Sequence, residues 1–103
     1  MTPILEEHMA DVLALCGLYR VRRLAAFGSA TGSGFDPQAS DVDLLVEFAP
    51  LEPAEHADCY FGLLHALEDL LARPVDLVER GPIRNPYLLA AIEESEVVLY
   101  EAA

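Results

Sequence analysis

Two carboxylates one residue apart, Asp41 and Asp43, are followed by a third, Asp76, and preceded by the pair Gly28-Ser29. In a strand, side chains alternate with a period of two, so an Asp-x-Asp projects both acids from one face. Such a pair can hold a divalent cation. A third carboxylate completes a site for two ions about 3.5–4 Å apart, which clamps the attacking and leaving oxygens of a displacement at phosphorus. An all-oxygen ligand set favours magnesium. Three crowded carboxylates repel, by about 4 kcal/mol per pair at 4 Å and an effective dielectric near 20, and a bound cation offsets that repulsion. Gly28 permits close approach of the backbone, and Ser29 with the amides after it suits phosphate oxygens at the start of a helical turn. Asp41, Asp43 and Asp76 are therefore the candidate metal ligands and catalytic residues, and Gly28 and Ser29 the candidate phosphate contacts. The chemistry that uses this set is metal-assisted transfer of a nucleotidyl group from a nucleoside triphosphate.

With seven aspartates in 103 residues, one Asp-x-Asp carries little weight alone. Its weight comes from the elements around it. Val21–Phe27 is an aliphatic and aromatic run reading as a short strand, and residues 28–40 form a Gly/Ser/Pro-rich loop after it. Asp41–Phe48 then alternates, with Val42, Leu44, Val46 and Phe48 on one face and Asp41, Asp43, Leu45 and Glu47 on the other. Residues 53–73 repeat apolar side chains at helical spacing, Tyr60, Leu63, Leu64, Leu67, Leu70 and Leu71, until Pro74 closes the helix. Val75–Val78 reads as a strand with Asp76 opposite Val75 and Leu77. Thr2-Pro3 opens a first helix running to about Gly17, with Leu5, Met9, Val12, Leu13 and Cys16 toward a core. Asn85-Pro86 opens a last helix to about Ser95, and Glu96–Tyr100 a final strand. The alternation of helices and strands predicts one α/β (α+β) domain over residues 1–103, a small mixed β-sheet with helices packed on it.

Composition narrows the partners. The formal net charge is −12, from 6 cations against 18 anions, and all six cations are arginine. The lack of lysine excludes Schiff-base chemistry and a P-loop lysine. Arg20, Arg22 and Arg23 are the nearest approach to a basic cluster, so neither direct nucleic-acid binding nor an anionic membrane surface is expected. The acidity suits divalent cations, a basic protein partner, or simple solubility. Cys16 and Cys59 have no metal-ligand spacing and read as buried free thiols in a reducing cytoplasm. No basic leader or long apolar run predicts export or a membrane span, so a cytoplasmic location is expected. His8, His56 and His65 read as surface or half-buried structural residues, and Tyr19, Tyr60, Tyr87 and Tyr100 as core or interface residues.

At these residues the chain resembles the nucleotidyltransferase superfamily, most closely the minimal nucleotidyltransferases that form the antitoxin half of HEPN/MNT toxin–antitoxin pairs. Gly28-Ser29 followed by Asp41-Val42-Asp43-Leu44-Leu45-Val46-Glu47-Phe48 resembles the family's Gly-Ser, spacer, Asp-x-Asp signature. Arg73–Val78 resembles the segment that carries its third carboxylate, and residues 92–101 its last helix and strand. The resemblance implies the nucleotidyltransferase fold, two Mg²⁺ ions at Asp41, Asp43 and Asp76, ATP as substrate, phosphate contacts at Gly28 and Ser29, and a role for Asp76 in deprotonating the acceptor. It further implies that the acceptor is a tyrosine of a HEPN-type toxin, modified with AMP. The spacer between Ser29 and Asp41 is longer than the family's usual one and holds no basic residue. An arginine borrowed from elsewhere is therefore expected beside the triphosphate, with Arg80 or Arg84 the nearest in cis. Two alternatives stay open: an inactive transferase fold that silences a toxin by covering it, and transfer to a small-molecule hydroxyl. Homo- and hetero-oligomers also both stay open.

Overall fold

A computed structural model of the chain describes residues 3–28, 41–79 and 84–102. Its elements are α1 (Pro3–Glu7), α2 (Met9–Leu18), β1 (Val21–Ala26), β2 (Val42–Phe48), α3 (Pro53–Leu71), β3 (Val75–Glu79), α4 (Pro86–Ser95) and β4 (Val97–Glu101). The four strands form one mixed sheet in the order β3-β2-β1-β4. β1 runs antiparallel to both β2 and β4, whereas β2 and β3 are parallel. A parallel pair needs a long crossover, and α3 supplies it.

The expected α/β architecture is present, with one difference in the first helix. The run from Pro3 breaks at His8, whose ψ of 13° lies outside the helical region, and α2 starts afresh with the Val12 amide donating to the His8 carbonyl at 2.9 Å. Leu5, Val12 and Cys16 nonetheless all reach the core, so apolar spacing alone conceals the break. Arg20 follows α2 at φ 58° and Ala72 follows α3 at φ 56°, left-handed positions where helices commonly place glycine. α4 begins as its sequence dictates: the Asn85 carboxamide oxygen accepts from the amides of Tyr87 (2.9 Å) and Leu88 (3.3 Å), with Pro86 first in the helix.

One sheet face is the core. Leu24, Val42, Leu44 and Val46 pack with Leu5, Val12 and Cys16 below and with Leu63, Leu67 and Leu71 of α3, all fully buried. Burial pushes the Cys16 thiol up to about 11, which keeps it protonated and inert. Cys59 departs from expectation in being only half-buried, although it continues the Leu63–Leu67–Leu71 spacing one turn toward the helix start. On the opposite face the register partners Ala25 and Leu45 are also buried, and Ile92 of α4 is buried as well.

Candidate functional site

The parallel register sets Asp43 directly beside Asp76, each the second residue of its strand. Two hydrogen bonds fix those strand starts. The Val42 amide donates to the Pro74 carbonyl at 3.2 Å, and the Val75 amide to Glu68 Oε2 at 3.2 Å. Asp41 immediately precedes β2 and, by alternation, lies on the same side as Asp43. Val42 and Leu44, the intervening residues, are fully buried, so the acids must face away from the core. Asp43 is half-buried, while Asp41 and Asp76 are exposed.

The electrostatics follow from this placement. Burial raises the Asp43 carboxyl above the ordinary carboxylate range, and the charges of Asp76 and then Asp41 raise it further. A cation beside such a group would favour its charged form. Among the described residues no three acidic, histidine or cysteine side chains are gathered closely enough to form a ready-made metal centre.

β1 supplies the third wall. The Phe27 amide donates to the Asp43 carbonyl at 3.1 Å, and the chain then turns at Gly28 with φ +62°. A Cβ at Gly28 would stand 2.8 Å from Asp43 Oδ2, so both the backbone angle and the close approach require glycine. The Gly28 amide donates to Ser95 Oγ at 3.3 Å. Ser29 and Arg80 lie outside the described residues.

The described arginines are mostly engaged elsewhere. Arg20 pairs with Glu55 (2.9 Å), Arg22 with Glu47 (3.8 Å), and Arg23 with Glu96 (2.7 Å) and Glu101 (3.2 Å). The Arg73 Nε donates to the Leu71 carbonyl at 3.3 Å. Arg84 is exposed just ahead of α4.

Sequence reasoning missed the residues that hold β3 in place. Tyr60 of α3 donates its hydroxyl to the Leu77 carbonyl at 2.6 Å, one residue beyond Asp76, and His56 hydrogen-bonds Glu79 at the strand's end. Burial, with the charges of Glu79 and Asp76, raises the Tyr60 phenol, which keeps it a donor. The helical spacing of α3 already placed Tyr60 on the apolar stripe facing the core, but nothing in the sequence specifies its carbonyl partner.

A mixed sheet that starts an Asp-x-Asp strand beside a third acid, with a helical crossover between them, is the architecture of a nucleotidyltransferase. The chain belongs to the nucleotidyltransferase domain family, which it matches over residues 12–99, and it is a nucleotidyltransferase. It is 42% identical over 76 residues to the Methanocaldococcus jannaschii protein named "Putative protein adenylyltransferase MJ0128", covering 74% of each chain. A solved structure of a "putative minimal nucleotidyltransferase" matches it with a TM-score of 0.72 and 31% identity, over 90% of both chains. The same fold occurs in a complex of a tri-AMPylated Shewanella oneidensis HEPN toxin with its MNT antitoxin, with a TM-score of 0.65 and 18% identity over 94% of this chain and 72% of that one.

Proposed function

We propose that this nucleotidyltransferase moves an adenylyl group from ATP to a tyrosine hydroxyl of a HEPN-family toxin and thereby acts as the toxin's antitoxin. The observation that carries the reading is the in-register pair Asp43–Asp76, with Asp43 half-buried, its carboxyl raised by that burial and then by Asp76 and Asp41, and pressed against the Gly28 bend. The relatives named for protein adenylylation and the AMPylated toxin complex support adenylyl as the group and a HEPN protein as the partner.

Asp41, Asp43 and Asp76 would hold two Mg²⁺ ions. Bound there, magnesium supplies charge stabilisation for the triphosphate and the leaving pyrophosphate. The protein's part is geometric and acid–base. Gly28 and Ser29 seat phosphate oxygens, and Asp76 accepts the proton of the acceptor hydroxyl. The acceptor oxygen bonds to the α-phosphorus as the bond to the bridging oxygen breaks and pyrophosphate leaves. Asp76 suits a macromolecular acceptor because it is exposed on β3, an edge strand of the sheet. Arg80 or Arg84, or an arginine of the partner, would complete the charge around the triphosphate.

Incubation with Mg²⁺, ATP and the partner toxin, followed by intact-mass spectrometry, should show adenylylated toxin with the wild type and none with Asp41→Asn. Toxin bound and silenced without modification, by a chain that binds no nucleotide in calorimetry, would establish the inactive binding module instead.

A further inference from the structure

We infer that Ser95 is a positioning residue of this site, holding the Gly28 bend against Asp43; the inference rests on the nucleotide-binding reading above. Its geometry begins with the sheet. β4 pairs with β1 so that Ala26 faces Val97, and continuing that antiparallel register by two residues sets Gly28 opposite Ser95. Ser95 is the last residue of α4, and its Oγ accepts the Gly28 amide at 3.3 Å.

The hydroxyl is itself oriented. Its proton is directed back into the helix, toward the carbonyls of Ala91 (3.3 Å) and Ile92 (3.4 Å). A serine that donates to its own helix leaves its lone pairs for an incoming N–H. The end of α4 is anchored on both sides of Ser95. Ile92 is buried, and Glu96 makes a two-pronged contact with Arg23 at 2.7 and 3.4 Å, with only 16% and 14% of those side chains exposed. The anchored helix end thus grips the backbone of the one residue whose missing Cβ admits Asp43 Oδ2. Gly28 is conformationally permissive, so a fixed partner on its amide helps to select φ +62° over the alternatives. Ser95 touches neither substrate nor carboxylate in this scheme; it acts through Gly28.

The test compares Ser95→Ala and Ser95→Thr with the wild type in the full chain. Amide exchange followed by NMR reads the Gly28 hydrogen bond, and calorimetric titration with Mg²⁺ and α,β-methylene ATP reads the site. Ser95→Ala should lose Gly28 protection and bind the analogue about 3–10-fold more weakly, the effect of one neutral hydrogen bond. Ser95→Thr, which keeps the hydroxyl, should restore both. Unchanged Gly28 exchange in Ser95→Ala would overturn the contact, and lost protection with unchanged affinity would overturn the positioning role. A wild-type chain that binds no analogue would overturn the nucleotide site and the role of Ser95 with it, a failure distinguished by the wild-type titration itself.

Discussion

Replacing Asp43 by asparagine should make the metal-free protein more stable while removing its response to magnesium. The strand spacing of a sheet puts the Asp43 and Asp76 positions about 5 Å apart, at which two unit charges repel by about 0.8 kcal/mol in water and about 3 kcal/mol at an effective dielectric near 20. Asp76 is exposed and Asp43 half-buried, so solvent screening places the cost near the lower figure, about 1 kcal/mol. Asparagine keeps the shape and removes the charge. For a domain of this size, 1 kcal/mol corresponds to roughly 4–8 °C in Tm.

The pH dependence fixes the sign. Asp43 has a folded-state pKa raised above its value in the unfolded chain, so the native state holds the proton more tightly. Below the unfolded value the group is neutral in both states and costs nothing. As pH rises through the unfolded value and then the raised folded one, the cost appears, and it is complete above the folded one. Thermal unfolding in a chelator should therefore show Asp43→Asn gaining over the wild type from acid to neutral pH and then levelling. With Mg²⁺ and ATP near 100 Kd the order should reverse, because ligand linkage stabilises only the wild type, by about 2.7 kcal/mol. A variant less stable than the wild type in chelator at pH 7, or one that keeps the magnesium response, would refute the electrostatic argument.

Gly28→Ala forces a Cβ into left-handed backbone and to 2.8 Å from Asp43 Oδ2. The backbone term should cost about 1–2 kcal/mol in urea unfolding, and displacement of the Asp43 carboxylate should weaken Mn²⁺ binding in calorimetry at least about tenfold; unchanged Mn²⁺ affinity would refute the contact. Ala72→Gly relieves a left-handed alanine after α3 and should stabilise by about 0.5–1 kcal/mol, the relief of strain exceeding the added freedom of the unfolded chain. A lower urea midpoint in that variant would contradict the observed φ.

β2 and α3 were readable because their apolar residues recur at strand and helix spacing. β2 alternates Val42, Leu44 and Val46 with Asp43 and Glu47, and α3 repeats Leu63, Leu67 and Leu71 every fourth residue. The capping of α4 by Asn85 is local chemistry and was equally readable. The break at His8 was not, since Leu5 and Val12 stay in phase across it. The acids of the proposed site were legible as residue types, yet their pairing was not: a shift of two residues between β2 and β3 would have parted Asp43 from Asp76 while keeping the apolar side chains of both strands on the core face. Ser95 was illegible for a further reason, because its contact joins a backbone amide to a side chain 67 positions away.

The distribution of arginines shapes how a triphosphate would approach this surface. Arg20, Arg22 and Arg23 are matched by Glu55, Glu47, Glu96 and Glu101, so their charge is spent on tying α3 and β4 to the sheet rather than on the carboxylate end of β2. On the proposed reading, that end presents Asp41, Asp43 and Asp76 as an anionic surface that attracts free magnesium and repels free ATP. The nucleotide should therefore enter as its magnesium complex, and affinity should rise steeply with Mg²⁺ concentration. The same deficit makes any arginine delivered by a partner unusually effective, since it meets phosphate oxygens that the residues following Gly28 leave without a cation in sequence. Catalysis would then depend on the toxin being docked. A chain whose ATP affinity is weak alone and tightens when its partner binds is the expected consequence.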